Sequence, residues 1–353
     1  MTDTVPQEGA TSADAPQAAG PPKPKLSGVP LLMAAIGVVL FVQALFVFSY
    51  IGALHDPKPH KVAFGVVGTS PLPRAVGTQF SLETTPYASE SDALDAIDQR
   101  EIDGALVAGP AGAKLIVVPA AGNAGASALS AAFTAGAAAL HQEIAIVKAH
   151  PLPQGDASGA VSFLVVMALI IGGYLSSTIA MAYGGRATRR RRLASLAVAA
   201  VIGALLTDTL AGPVLGAMPS SKFLVLWGLF TLIMLAVAYA TAALQAVLGA
   251  GGTLVVVIVF VIFGAPASGG TVPTDYLPTI WRTIGPYLPA GAGTTTVRNT
   301  IYFDGNGTTK SLIILAAYLV IGALAALALH HRRAPSRMGA EGAEASVAAT
   351  AVV

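Results

Sequence analysis

The run from Val29 to Leu54 is broken only by Gln43, Ser49 and Tyr50 among apolar and small side chains. At 1.5 Å per residue it is long enough to cross a hydrocarbon layer of about 30 Å. Such a segment leaves the chain few choices, because backbone groups in lipid must be satisfied within the segment itself, which a helix achieves and an open strand does not. Further runs of the same character occupy 160–183, 193–218, 222–248, 253–267 (the shortest) and 311–329. The predicted fold class is therefore a polytopic α-helical membrane protein with six transmembrane helices. Composition agrees: AVILMFWYC make up 54% of the chain, DEKR only 11%, and the mean hydropathy is +0.69. Soluble domains are about one quarter charged, so a soluble enzyme is excluded and no enzymatic activity is expected. A cleaved signal peptide fits poorly, since its apolar core is about 7–15 residues and this run is longer and follows a tail.

Between the first two runs the character changes. Residues 55–159 hold ten acids against six bases, the mark of a water-soluble insert. Lys61–Val67 reads as a strand, Ser89–Arg100 as a helix with Ala93, Leu94 and Ile97 on one face, and Ile102–Ala108 and Lys114–Val118 as two strands broken apart at Gly109, Pro110 and Gly112. Ala124 to Lys148 reads as a long helix. The order βαββα predicts a small extracytoplasmic α/β domain inserted between helices 1 and 2.

Lys and Arg fix the predicted orientation. With both termini cytoplasmic, inner segments carry ten of them (Lys23, Lys25, Arg186, Arg189 to Arg192, Arg332, Arg333, Arg337) and the short outer loops four (Lys222, Arg282, Arg298, Lys310). The positive-inside rule is then satisfied, in a plasma membrane with the acidic domain outside. Residues 1–27, rich in Pro and Ala, read as a disordered cytoplasmic tail, 184–192 as a basic cytoplasmic loop, and 330–353 as a second tail. Net charge is only +2, so no basic field points to nucleic acid, and the absence of cysteine excludes disulfides and thiolate metal sites.

Asp208 is the one acidic residue inside a predicted span. A carboxyl at that depth is costly and faces either the bundle interior, as part of a conduit, or a wet mouth where Thr207 and Thr209 satisfy it. Gln43 and Gln245 are the other polar groups at depth, and interhelical hydrogen bonding explains them more cheaply than substrate contact. Gly172/Ser176 and Gly173/Ser177 form two small-xxx-small pairs that permit close helix packing. Arg186, Arg189, Arg190, Arg191 and Arg192 are a topology signal or a docking site for anionic lipid or a cytoplasmic partner. Gly305 to Ser311 fails as a P-loop because Gly does not precede Lys310, and none of the six histidines forms an HExxH pair, so no metal or cofactor is predicted. The segment 268–310 is punctuated by Pro273, Pro278, Pro286 and Pro289 between apolar pieces, which reads as an outer loop of broken short helices that either re-enter the membrane or lie at its surface through Tyr276, Trp281, Tyr287 and Tyr302.

Lys61–Val67, the stretch Ala93–Val107 with its Ile-Asp-Gly-Ala-Leu-Val ending, and Leu288-Pro289 followed by Arg298-Asn299 and the Gly305–Gly307 turn resemble the permease subunits of ABC-2-type exporters. The likeness is to the branch related to the phage-infection-protein membrane family, and covers the layout from about residue 29 to 333. It implies a homodimeric or heterodimeric permease in the lipid bilayer, energised by an ATPase on a separate chain and exporting an amphipathic or hydrophobic substrate. A non-transporting envelope protein whose outer domain binds a surface partner is the second reading. A proton-coupled carrier using Asp208 is weaker, for want of an internal repeat.

Overall fold

The computed structural model describes residues 28–77, 80–109, 112–185 and 187–329; the two predicted tails and Arg186 lie outside the described residues. The chain divides into two compact units, Met1–Gln43 and Ala44–Val353. Helix α1 (Val29–Leu54) begins in the first, where its described residues are almost all exposed, and ends in the second.

Five helices are long and apolar enough to cross a membrane: α1, α5 (Val161–Tyr183), α6 (Arg189–Thr209, widened into a π-type turn at Leu210–Val214), α7 (Phe223–Leu248) and α12 (Thr309–Ala328). The fifth predicted run forms a shorter apolar helix, Gly251–Ala267, made of α8 (Gly251–Val256), a π-type stretch Val257–Phe263 and α9 (Gly264–Ala267). Helix α7 is central, packing on α5, α6 and α12. Small residues set these contacts. A Cβ on Gly173 would lie 2.8 Å from the Met234 carbonyl oxygen, and one on Gly322 would lie 2.7 Å from the Ala240 backbone nitrogen, so both positions depend on glycine for close approach. The small-residue stripe of α5 thus packs on α7 within one chain.

The inserted α/β domain is a mixed five-stranded sheet of order β2-β1-β3-β4-β5: β1 (Val62–Val67), β2 (Leu82–Tyr87), β3 (Gly104–Gly109), β4 (Gly112–Val117) and β5 (Ile144–Lys148). Only β3 and β4 pair antiparallel. Helices α2 (Leu72–Val76) and α4 (Asn123–Ala139) share an apolar cluster on one face, where Phe64 stacks on Phe133 at 5.0 Å. Helix α3 (Glu90–Asp98) closes the other face through Ala93, Ala96 and Ile97. Its start is a reciprocal cap: the Ser89 hydroxyl accepts from the Asp92 amide and the Asp92 carboxylate accepts from the Ser89 amide.

Two strands are absent from the sequence reading, β2 and β5, and both are sheet edges. Pro86 in β2 is tolerated because an edge strand has a free side. The predicted helix Ala124–Lys148 stops at Ala139: His141 adopts φ 52° in the left-handed region, and Ile144–Lys148 emerges as β5.

Between α9 and α12, α10 (Thr279–Ile284) and α11 (Pro289–Tyr302) form two helical pieces joined through Gly285–Tyr287. Trp281 of α10 donates to the Ser49 hydroxyl of α1 at 3.3 Å and covers Gly52. Helix α11 is buried over almost its whole length against α5, α7, α9 and α12. Its sequence Pro-Ala-Gly-Ala-Gly has little helix propensity, so packing of a backbone stripped of bulk, with Pro at the first position, holds it helical.

Candidate functional site

Polar groups are buried in three places. At the C-terminal end of α5, Gln245 of α7 accepts from the Ser177 hydroxyl at 3.0 Å and donates to Thr253 at 2.9 Å and Thr178 at 3.3 Å. Thr178 in turn donates to the Tyr174 carbonyl. The amide thereby ties α5, α7 and α8 together with both its oxygen and its nitrogen in use. Its chemistry is cohesion.

Asp208 differs. It lies on the α6 stripe Leu196, Ala200, Ala204, Asp208, spaced four apart and facing inward, and is 1% exposed. Its Oδ2 has no hydrogen-bond partner among the described residues. Thr207 is turned away, donating to the Gly203 carbonyl at 2.8 Å. The π-type turn begins two residues later and contains Pro213, whose missing amide releases one helical bond. Two more buried hydroxyls without partners among the described residues, Ser162 at the start of α5 and Thr294 in α11, belong to helices that line the same core. An unpaired buried polar atom costs about 1–3 kcal/mol, so a bundle that keeps three of them forgoes stability there.

The structure does not bring Asp208 and Gln245 together. Met234 of α7 touches Gly203 of α6; from that level Asp208 rises five residues one way and Gln245 descends eleven the other, about 24 Å apart along the hairpin at 1.5 Å per residue. Gln43 is exposed in the unit Met1–Gln43. Arg189 to Arg192 form the first turn of α6 rather than a loop, behind Thr188, whose hydroxyl accepts from the Arg191 amide. Arg189 also donates to the Leu327 carbonyl near the end of α12. Cations at a helix N-terminus oppose the macrodipole, so helix stability does not explain them.

The third place is the seam between the α/β domain and the segment 268–308. Arg298 of α11 is 8% exposed and donates to the carbonyls of Ala121, Gly269 and Gly270 at 3.3, 2.9 and 3.0 Å. Burial and the neighbouring Arg100 push its pKa down to about 10, with Asp156 and Tyr302 opposing, which leaves it charged at neutral pH. Asp156 is 2% exposed, accepts from the Tyr302 hydroxyl at 2.8 Å and from the Val161 amide at 3.1 Å, and so caps α5 while holding α11. Lys222, preceding α7, donates to the Thr300 and Ile301 carbonyls and to Asp304, a cation closing the C-terminus of α11. Two aromatics complete the seam. Tyr276 enters the α4-side cluster of the sheet and its hydroxyl reaches the Gly125 carbonyl, while Phe303 enters the α3-side cluster beneath the Arg100 guanidinium at 4.6 Å. Arg100 pairs with Asp103. Asp275 is pushed up to about 6 by burial and by Asp103, with Arg282 and Arg100 pulling the other way.

The α/β domain is thus no bead on a string: both its apolar faces are finished by side chains from the membrane half. Sequence reasoning missed Arg298, Asp156, Tyr276 and Phe303 as a set, because what joins them is distant in the chain: Arg298 reaches Ala121 across 177 positions, Tyr302 reaches Asp156 across 146, and Tyr276 reaches Gly125 across 151. A basic residue in so small-residue a helix, Arg298 among Gly, Ala and Thr, was the available signal. Among the described residues, no three His, Asp or Glu side chains converge as a metal site. No protein-family model, characterised protein or solved structure matches the chain.

Proposed function

We propose that this chain is the membrane-spanning permease subunit of an ABC-2-type exporter, energised by an ATPase on a separate chain and working as a dimer in the plasma membrane. Its substrate is amphipathic or hydrophobic. In this reading the helix Gly251–Ala267 is a sixth span, its 17 residues at the lower limit for crossing. Both termini are then cytoplasmic, the arginine turn of α6 faces the ATPase, and α10–α11 re-enter from outside.

The observation that carries the reading is α11. It packs against α5, α7 and α12 at one level and is bolted to the outer domain at another, by Arg298 on the Ala121 carbonyl and by Tyr302 on Asp156. Rearrangement of the bundle would therefore be transmitted to the outer domain through a continuous packed element, which an anchor has no use for. Asp208, Thr294 and Ser162 are the polar groups such a rearrangement can expose to a passing substrate.

The second reading, an envelope protein whose outer domain binds a surface partner, draws on β5, a sheet edge whose Ile146 and Val147 are 43% and 44% exposed. A free apolar edge can accept an added strand. Deleting 57–154 cannot decide between the two, because it strips Tyr276, Arg298 and Phe303 of their partners. Purification of the intact chain from its native host in mild detergent can. The export reading expects an ABC ATPase in near-stoichiometric amount, lost when Arg189 to Arg192 are replaced by Gln. Absence of any ATPase, under conditions that preserve a control ABC complex, overturns it.

A further inference from the structure

An open groove of about 600 Å³ lies on the α/β domain beside the exit of α1, between the linker Lys58–His60, helix α2 and the start of β2. Its size suits a headgroup or small amphiphile. Three basic residues line it, Lys58, His60 and Arg74, together with Ser81, Thr84 and Phe80. No acidic side chain is among the described residues that line it. That is a segregation of charge, because residues 55–159 carry ten acids against six bases overall. Asp56 pairs with Lys58 at 2.7 Å from outside the groove, but both side chains are largely exposed, a pairing too weak to neutralise the site.

The groove is also built rather than incidental. The Lys58 and His60 amides donate to the carbonyls of Tyr276 and Asp275 at 3.0 and 2.8 Å, which fixes the linker strand. The Lys61 amide occupies one lone pair of the Ser81 hydroxyl at 3.0 Å and leaves its O–H free to donate. Phe80 is held edge-on to Tyr276 at 5.8 Å. Three residues lie between Leu54, the end of α1, and Lys58, so the Lys58 backbone lies within about 14 Å of that helix end.

We propose that this groove binds an amphipathic anion, its phosphate-type head held by Arg74, Lys58 and His60 and its apolar part against Phe80, Leu82 and Pro73. A guanidinium matches the paired oxygens of a phosphate in fork geometry, and an exposed Arg74 is free to turn toward it. The inference is independent of export: it concerns what the outer domain recognises, whether or not anything is transported. The head can come from a lipid of the adjoining leaflet or from a dissolved amphiphile.

The test uses the full chain in phosphatidylcholine nanodiscs, titrated calorimetrically with hexyl phosphate and, separately, with neutral hexyl glucoside. The expected result is saturable one-site binding of hexyl phosphate only. Arg74→Ala should weaken it about tenfold and Arg74→Lys recover part of that loss. Because Arg74 is exposed, melting of these variants should match the native chain. Repeating the titration in phosphatidylglycerol nanodiscs separates the sources: hexyl phosphate excluded there identifies a lipid headgroup as occupant, and binding retained identifies a dissolved amphiphile. Equal binding of the two amphiphiles, or unchanged affinity in both Arg74→Ala and the double variant Lys58→Ala/His60→Ala, overturns the proposal.

Discussion

The bundle treats its buried polar groups in two opposite ways. Around Gln245 every hydrogen-bonding atom of the amide is used, by Ser177, Thr178 and Thr253, and the Arg298 guanidinium at the seam likewise spends its donors on Ala121, Gly269 and Gly270. Around Asp208, Thr294 and Ser162 at least one atom of each is left alone among the described residues. Complete networks lock helices together, whereas unfinished ones are retained against a stability cost, and under the proposed export function they are where a passing substrate is met. Residue type does not distinguish them, since Ser and Thr occur in both. Completion does.

Removing a completed hub should therefore do the most damage. Arg298→Met leaves the buried Gly269 carbonyl and the half-buried Gly270 carbonyl without their Arg298 donors and should lower stability by about 3 kcal/mol or more, seen as loss of the monodisperse peak in detergent chromatography. Retention of that peak would place Arg298 among the dispensable groups. Gln245→Leu should cost about 1–2 kcal/mol in thermal melting, in line with interhelical hydrogen bonds in lipid.

Asp208→Asn reverses the pattern: melting should hold or rise, because no partner is lost and a costly group is neutralised, while transport falls by about tenfold or more. A fall in melting comparable to that of Gln245→Leu would put Asp208 with the structural groups. Thr294→Val, the smallest change, should leave melting within about 0.5 kcal/mol, since its hydroxyl has no partner to lose.

The seam makes its own pH-dependent contribution. Asp275 titrates near 6 in the folded chain against 3.8 as a free side chain, so the native state binds the extra proton. Stability is then greatest below about pH 4 and falls as pH rises toward 6, from this residue alone. Asp275→Asn should flatten that part of the melting-versus-pH curve.

How much of this was legible in the sequence follows from which interactions are local. Apolar runs show α1, α5, α7 and α12 directly, because lipid demands length and composition from a single segment. Strands β1, β3 and β4 were readable as short apolar runs, and α3 from Ala93, Leu94 and Ile97 on one face. Edge strands β2 and β5 were not: Pro86 and the exposed Ala145 to Lys148 carry no burial pattern. Asp208 stood out because a carboxyl in an apolar run is conspicuous. Gln43 stood out equally and lies exposed in the N-terminal unit, since polarity at depth says nothing about what faces it. Thr294 and Ser162 are ordinary in composition, and only packing marks them as unpaired.

The absence of cysteine from the chain permits the most direct test. Single variants Thr294→Cys and Ser177→Cys, in native-host membranes that would hold the ATPase the export proposal calls for, would be exposed to a membrane-impermeant thiol reagent with and without ATP. Thr294→Cys is expected to change labelling rate at least severalfold when ATP is added, as an exporter's conduit opens and closes around it, while Ser177→Cys stays unlabelled throughout. Thr294→Cys as inert as Ser177→Cys in both conditions would contradict the export account.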